Sequence, residues 1–276
     1  MNMSQISVQI KVFYQQGINF GKAKSYQAAL VSFEKVIQIQ PNHVNAWFYK
    51  GFTLLKLDNL PQALNSFDRA IEFGPDYADP WYYRGCVLNF LEKYQNAINS
   101  LDKALLIAPD YGDAWYEKGK ALSYLDNFDQ ALECCEQSLQ IEPENIYFLL
   151  AKAAVVLELK RYRECLEICN KLIEINPKIE NIWILKSIAL KALGNYDQAM
   201  DCCDKIIEFK PDYGDAYYQK ACYLAAQNKV ELALENLATA FCQPWHLDNY
   251  RELAKTDKEL DNIRTDGRFQ VLIEGE

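Results

Sequence analysis

The chain has 276 residues, half of them hydrophobic and 24% charged, a composition typical of an ordinary globular protein with a sizeable core. Its formal net charge of -9 disfavours nucleic acid, because phosphate backbones demand clustered Lys and Arg, and favours basic partners. No apolar run reaches the roughly 18 residues of a membrane span, and the polar start and nine cysteines do not suit a secreted protein. We therefore expect a cytoplasmic protein that is not inserted in a membrane.

The prolines reveal an internal repeat of 34 residues. Six of them are evenly spaced, at Pro41, Pro75, Pro109, Pro143, Pro177 and Pro211. Self-similarity at a fixed period is the signature of repeat architectures. After a lead-in to the first helix over residues 1–9, we place seven units at 10–43, 44–77, 78–111, 112–145, 146–179, 180–213 and 214–247, and a C-terminal helical cap at 248–276.

Large and small residues occupy fixed positions within each unit. Position 4 is bulky: Phe13, Trp47, Trp81, Trp115, Leu149, Trp183 and Tyr217. Position 8 is small: Gly17, Gly51, Gly85, Gly119, Ala153, Ser187 and Ala221. Positions 4, 8 and 11 form one stripe on a first helix, and positions 20, 24 and 27 form the matching stripe on a second. We expect the bulky residue to fit beside the small one and let two helices approach closely.

Short turn phrases such as LDNF, LGNY and EKY separate the two predicted helices, so each unit is interpreted as a helix hairpin. The proline ends the second helix, because it lacks the amide hydrogen that the helix ladder needs. The Asp or Asn that follows is expected to cap the next first helix. Pro80, directly after Asp79, suits the first position of a helix.

This period and these positions closely resemble those of the tetratricopeptide repeat family, over residues 10 to about 247. The resemblance implies an all-α solenoid of seven hairpins, wound as a right-handed superhelix with the first helices on the concave side. A hairpin of this size cannot bury its own apolar face, so neighbours must stack and the ends need caps.

The tail departs from the repeat, with Trp245 where the next proline would stand. It resembles the closing segment of bacterial, notably cyanobacterial, proteins of the same family. Helical spacing is shared by Leu247, Tyr250, Leu253 and Ala254. We also expect Asp266 to cap a short final helix carrying Phe269, Leu272 and Ile273.

A partner is expected in the inner groove, which positions 2, 5, 6, 9, 12 and 13 of the first helices should line, roughly 130° from the packing stripe. The predicted groove residues are Phe48, Tyr49, Phe52, Tyr82, Tyr83, Phe90, Tyr116, Glu117, Lys120, Tyr124 and Tyr147, with Tyr14 and Ile18 in the first unit and Asp79 and Asp113 at the edges. About half of these rings are expected to pack between units, and the Asp residues to cap helices. The remaining rings suit peptide recognition.

The predicted partner is a protein or peptide with apolar anchors and some basic residues. Some family members grip a C-terminal carboxylate of chaperones with Lys, Asn and Arg from three consecutive units. The corresponding positions here are Tyr14, Ile18, Tyr49, Asp79 and Tyr83, so no such clamp is predicted. We interpret the chain as an adaptor, scaffold or assembly factor, with self-association into a homo-oligomer as the alternative.

Reactive side chains give little support to an enzyme. The only histidines, His43 and His246, leave a nucleophile–base–orienter constellation without an obvious base, no phosphate loop occurs, and no cofactor is predicted. Sulfurs on neighbouring helices lie too far apart to share a zinc ion, so buried packing is the favoured role of the cysteines. The remaining alternative is a thiol-based redox or metal-responsive protein that uses Cys134, Cys135, Cys165, Cys169, Cys202 and Cys203. The two members of each adjacent pair are expected to point to different helix faces, which disfavours this alternative.

Overall fold

The structure is a computed structural model that describes residues 3–243 and 250–274. These two ranges form α-helices joined by short turns and contain no strand. Within them, no helix combines the length and the apolar character that crossing a bilayer requires. The predicted roles of Trp245, His246 and Leu247 lie outside the described residues. The chain divides into two compact units, Met1–Glu144 and Asn145–Glu276.

The first compact unit consists of four helix hairpins. Its helices are α1 (Met3–Lys22), α2 (Tyr26–Ile39), α3 (Val44–Lys56), α4 (Leu60–Phe73), α5 (Ala78–Phe90), α6 (Tyr94–Ile107), α7 (Gly112–Tyr124) and α8 (Phe128–Ile141). The two helices of each hairpin pack together, and each of α2, α4 and α6 also packs on the helix that follows it. First helices of neighbouring hairpins touch as well, α1 with α3, α3 with α5 and α5 with α7. Residues 3–9 of the predicted lead-in belong to α1 itself.

The second compact unit consists of three hairpins and a C-terminal segment. Its hairpin helices are α9 (Ile146–Glu158), α10 (Tyr162–Ile175), α11 (Glu180–Ala192), α12 (Tyr196–Phe209), α13 (Gly214–Ala226) and α14 (Val230–Phe241). The segment adds α15 (Tyr250–Thr256), a 3₁₀ turn η1 (Lys258–Leu260) and α16 (Gly267–Glu274). Asp266 Oδ1 accepts a hydrogen bond from the Arg268 amide at 2.9 Å, as expected of a cap at the start of α16.

The predicted stripe on the second helices is buried in every hairpin. Positions 20, 24 and 27 of all seven repeats fall among the buried residues. The role expected for position 8 was wrong in detail. A Cβ added to Gly51 would lie 2.7 Å from the ring of Phe67, and one added to Gly85 would lie 2.6 Å from Leu101. In the first three repeats, glycine at position 8 therefore makes room for the position 24 side chain of its own hairpin, and not for the bulky residue at position 4.

The bulky position 4 residue holds the turn between hairpins. In four repeats its indole N–H donates to the carbonyl of the proline six residues earlier: Trp47 to Pro41 at 2.6 Å, Trp81 to Pro75 at 2.9 Å, Trp115 to Pro109 at 2.9 Å and Trp183 to Pro177 at 2.8 Å. Tyr217 makes the equivalent bond to Pro211 through its hydroxyl at 3.1 Å. The proline carbonyl has no hydrogen-bond partner within the second helix, because that helix has already ended. It instead accepts a hydrogen bond from a side chain of the next helix.

The caps of the first helices differ from the prediction. Tyr77 and Tyr111 occupy the N-cap positions of α5 and α7, without a side-chain hydrogen bond to the helix. Asp79 and Asp113 are the second residues of those helices, and Pro80 is the third. The carboxylates therefore act on the positive end of the helix dipole from within the first turn. A side chain does cap α3, where His43 Nδ1 accepts from the Ala46 amide at 3.1 Å, and α9, where Asn145 does so.

The turn inside each hairpin contains one residue in the left-handed backbone region. These residues are Lys24, Asp58, Glu92, Asp126, Lys160, Gly194 and Asn228, again 34 residues apart. Only Gly194 lacks the Cβ that makes this conformation costly for other residues. The conformation is imposed by the turn geometry that joins the two packed helices.

Candidate functional site

Aromatic rings recur at the predicted groove positions of the first compact unit. We give the name aromatic face to the set formed by Tyr14, Tyr49, Phe52, Tyr82, Tyr83, Phe90, Tyr116 and Tyr124. Ring contacts join it across successive first helices: the ring centroids of Tyr14 and Tyr49 are 5.9 Å apart, and those of Phe52 and Tyr83 are 5.4 Å apart. The aromatic face therefore draws residues from α1, α3, α5 and α7.

Exposure separates the rings that pack from the rings that face outward. Phe48 is only 5% exposed and packs against Phe67, Tyr77 and Tyr83, so the structure places it in the interior and not on the aromatic face. Phe90 is 73% exposed and Tyr124 is 66% exposed. The other rings of the face are half-buried. Burial therefore assigns Phe48 to packing, and the prediction that the exposed rings contact a partner stays a prediction.

A small polar cluster lies beside the half-buried Tyr116 ring. Lys120 Nζ donates to Glu117 Oε1 at 2.9 Å, and the Lys120 ammonium lies 5.3 Å from the ring centre of Tyr116. Asn89 on α5 donates through Nδ2 to the Glu117 side chain on α7 at 3.0 Å. Glu117 and Lys120 were predicted here, whereas Asn89 was not, although it occupies position 12 of its repeat. The cluster fixes α5 against α7 at the base of the aromatic face.

The edge of the aromatic face is acidic. Tyr111 donates its hydroxyl to Asp79 Oδ1 at 3.2 Å, and burial together with the Asp79 charge raises the pKa of the Tyr111 phenol. Burial, followed by the charges of Glu142 and Glu117, raises the pKa of the Asp113 carboxyl. Nearby phenols therefore stay protonated as hydrogen-bond donors, and the carboxylates give the edge a negative potential.

Tyr147 belongs to the second compact unit, where it lies exposed on α9. The Asn145 side chain caps this helix by accepting from the Tyr147 amide at 3.0 Å. The prediction that Tyr147 contributes to partner binding stays a prediction.

The cysteines lie mainly in the interior. Both members of the pairs Cys134–Cys135 and Cys202–Cys203 are buried, whichever helix face they occupy. Burial raises the pKa of the Cys134 and Cys202 thiols to about 11. Cys165 and Cys169 bring their sulfurs within 4.0 Å of each other. Among the described residues, no group of three or more His, Cys, Asp or Glu side chains could hold a metal ion.

The last hairpin carries a segment of the chain itself on its first helix. We call residues 257–263 the tail segment. Tyr218 donates to Asp257 Oδ2 at 2.9 Å, and Lys191 forms an ion pair with Glu259. Leu260 and Ile263 are fully buried in a cluster that includes Cys222 and Ala225 of α13. Because Tyr218, Cys222 and Ala225 stand at positions 5, 9 and 12, the tail segment covers groove positions of the seventh repeat.

Comparison with known families and structures agrees with this architecture. Three models of the tetratricopeptide repeat match the chain, over residues 22–83, over 78–111 and 180–213, and over 112–145, and together they cover more than half of it. A search of the curated proteins found no match.

Several solved structures share the fold. A tetratricopeptide repeat protein from Parabacteroides merdae is 17% identical with a TM-score of 0.68, and the match covers 92% of this chain and 98% of that chain. PilW, described as a widely conserved type IV pilus biogenesis factor, is 20% identical with a TM-score of 0.65, covering 76% and 96%. YrrB, described as having an unusual peptide-binding site, is 24% identical with a TM-score of 0.54, covering 66% and 95%.

Proposed function

Because this chain belongs to the tetratricopeptide repeat family of protein–protein interaction modules, we propose that it serves as an adaptor, scaffold or assembly factor that holds a partner segment on its aromatic face. The observation that carries the proposal is the exposure of Phe90 and Tyr124, 73% and 66%, on a surface built from half-buried rings. Exposed apolar surface is characteristic of interaction sites. Aromatic rings suit the role because they bury large areas while losing little rotamer freedom.

The proposed partner segment carries apolar anchors and some basic residues. Its anchors would lie against Phe52, Tyr83 and Tyr116; the rings of Phe52 and Tyr83 contact each other, and the Tyr116 ring contacts the Lys120 ammonium. A Lys or Arg of the partner would meet the negative potential of Asp79 and Asp113. Electrostatic complementarity of this kind raises association rates and selects among partners more than it adds affinity.

The proposed role is non-enzymatic and requires no cofactor. A cytoplasmic location is part of the same proposal and rests on the sequence alone. Self-association through an exposed terminal repeat or the convex face is the second candidate, favoured by Val8 and Val12, which are exposed on α1. Sedimentation velocity across a range of concentrations distinguishes the two, because a monomer at all concentrations contradicts self-association.

The proposal is tested by affinity capture from the native host on immobilised full chain. We expect Tyr83→Ala, Tyr116→Ala and the double variant Phe90→Ala/Tyr124→Ala to lose a specific set of captured proteins. Leu106→Ala is the matched control, because Leu106 is 74% exposed but lies on α6, the second helix of its hairpin. Retention of every captured protein by the aromatic variants would contradict the proposal, and equal loss with Leu106→Ala would indicate non-specific hydrophobic capture.

A further inference from the structure

The first three helices carry a charge opposite to that of the chain as a whole. Residues 1–56 contain six lysines and one acidic residue, Glu34, although the complete chain has 38 acidic and 29 basic residues. Glu34 is engaged by Lys50 at 3.0 Å. The excess of positive charge at this end therefore stays available to an acidic partner.

An apolar pocket opens among these same helices. It has a volume of about 300 Å³, at the lower end of the range for ligand sites. Nine residues line it, among them Gly21, Lys22, Tyr26, Phe33, Tyr49 and Phe52. A Cβ added to Gly21 would meet no atom within 4 Å, so a glycine here leaves open space that any other residue would start to fill. The size and lining suit one large aliphatic or aromatic side chain.

Two lysines give this pocket a positive rim. Lys22 lines the pocket, and the Lys56 ammonium lies 5.3 Å from the ring centre of Phe52, another lining residue. Within the described ranges neither lysine forms an ion pair, and none of the nine lining residues is acidic. An apolar group that enters the pocket would therefore bring any flanking carboxylate close to an uncompensated ammonium group.

The tail segment shows what the first helices of this chain can bind. There, buried Leu260 and Ile263 are flanked by Asp257 and Glu259, and the carboxylates meet a tyrosine hydroxyl and the Lys191 ammonium. The pocket in the first compact unit combines the same elements: an apolar recess, the Tyr49 ring, and Lys22 and Lys56 at the edge.

We propose that the pocket formed by α1, α2 and α3 binds an aliphatic or aromatic side chain of an acidic partner segment, with neighbouring Asp or Glu residues paired to Lys22 and Lys56. This inference rests on the proposed function and assigns chemistry to one end of the bound segment. Basic residues of the partner then face Asp79 and Asp113, and acidic residues face the lysine rim. The charge pattern thus orients the segment.

The probe is a phage-displayed library of random dodecapeptides selected on the full chain. We expect the enriched peptides to share a Leu, Ile, Met or Phe with Asp or Glu within two residues. Synthetic versions should bind at least tenfold more weakly to Gly21→Trp, which fills the pocket, and to Lys22→Glu/Lys56→Glu. Replacing the acidic residues of the peptide with Lys should restore binding to the charge-reversed variant and abolish it for the natural chain.

Two control variants keep the test specific. Gly267→Trp introduces the same side chain at another glycine with open space around it, outside the pocket, and Lys103→Glu reverses an exposed charge on α6. Both should bind the peptides as the natural chain does. Urea unfolding midpoints of all variants show that they are folded.

Several results would overturn the inference. The inference is wrong if the enriched peptides are basic, or if they bind Gly21→Trp as tightly as they bind the natural chain. If such peptides still require Phe90 and Tyr124, the proposed function stands and the pocket assignment fails; if no peptide is enriched, both fail. A last outcome combines enriched sequences that match residues 257–263 with a dimer of the chain that Gly21→Trp disrupts. This outcome would show that a second copy of the chain, and not a partner protein, occupies the pocket.

Discussion

The third and seventh repeats carry the same two residues at positions 5 and 9, yet one pair is partly exposed and the other is buried. Positions 5 and 9 are Tyr82 and Cys86 in the third repeat and Tyr218 and Cys222 in the seventh. Cys86 is partly exposed, whereas Cys222 is 4% exposed behind the tail segment. The residue types on a repeat thus do not decide whether its surface is available. What decides it is the segment that the chain places next to them.

The packing between positions 8 and 24 inside the hairpin also differs from repeat to repeat. Gly51 faces Phe67 in the second repeat, whereas Ala153 takes the place of the glycine in the fifth, where Cys169 takes the place of the ring. A smaller residue at position 24 allows a larger one at position 8. Interiors are close-packed, so the space that a smaller position 24 residue leaves can be filled from position 8. Gly119 beside Cys135 shows that glycine is also tolerated there.

The largest expected effect follows from loosening the tail segment. Leu260→Ala should weaken its docking by about 3 kcal/mol, because Leu260 is fully buried, and should raise the open fraction roughly 100-fold. Alkylation of Cys222 by iodoacetamide, followed by peptide mass spectrometry, should accelerate accordingly. Cys86 provides an internal control whose rate should not change.

Leu253→Ala is the matched variant, since Leu253 lies on α15 with its side chain exposed. It should leave the Cys222 rate close to that of the natural chain. An unchanged Cys222 rate in Leu260→Ala would show that the tail segment does not protect the thiol.

The next effect compares two glycines at position 8. Gly51→Ala should lower the free energy of unfolding by about 2 kcal/mol, because the new Cβ would lie 2.7 Å from the Phe67 ring. Gly119→Ala places its Cβ 3.3 Å from the Cys134 Cβ, and the better helix propensity of Ala, worth about 1 kcal/mol, should offset that contact. Urea titration measures both.

A compensating variant tests the packing explanation directly. Adding Phe67→Leu to Gly51→Ala reproduces the Ala and Leu pair that Ala221 and Leu237 form in the seventh repeat. This double variant should recover part of the lost stability. Equal stability of Gly51→Ala and the natural chain would refute the proposed complementarity.

Alkaline pH should destabilise both units through their buried thiols. The pKa of Cys134 in the first unit and Cys202 in the second is raised from 9.0 to about 11 in the folded chain. Below pH 9 the thiols are protonated in both the folded and the unfolded chain, so their contribution to the free energy of unfolding is complete. As pH rises from 9 toward 11, the thiols ionise more readily in the unfolded chain, and the free energy of unfolding falls by at most ~1.4 kcal/mol per pH unit for each thiol. Urea midpoints at pH 8, 9 and 10 under reducing conditions should fall less steeply in Cys134→Ala and Cys202→Ala; identical slopes would contradict the assignment.

The smallest expected effect compares two turns of the second unit. Lys160 and Gly194 occupy equivalent left-handed positions, with φ of 59° and 79°. Lys160→Gly should raise the free energy of unfolding by about 1 kcal/mol, and Gly194→Ala should lower it by a similar amount. Thermal unfolding of both variants measures the difference, and shifts of the same sign would rule out the backbone explanation.

Some features of the fold could be predicted because they recur at a fixed spacing. The even spacing of Pro41 and its five counterparts defined the hairpins, and the stripe through Ala63, Phe67 and Ala70 identified the buried face of the second helix. The bond from Trp47 to the Pro41 carbonyl was missed, although both residues repeat together and the pairing was visible in the sequence. The left-handed turn residues were missed for another reason: Lys, Asp, Glu, Asn and Gly share no side-chain chemistry, and only backbone geometry makes them equivalent.

The candidate site was predictable only in outline. Helical geometry predicted one surface for Tyr49, Phe52 and Tyr83, since residue spacing determines direction on a helix, and the ring centroids of Phe52 and Tyr83 lie 5.4 Å apart. It could not separate buried Phe48 from exposed Phe90, because exposure depends on the neighbouring hairpin.

By itself, the amino-acid sequence determined the seven hairpins and the side of each first helix that carries the rings, since both follow from periodic spacing along the chain. The tertiary structure alone decided which of those surfaces are open. Residues 257–263 reach α13 after a departure from the repeat, and the pocket beside Gly21 exists only where three helices meet. Contacts between segments that are distant along the chain leave no periodic signal in the sequence, so these contacts could be identified only in the folded structure.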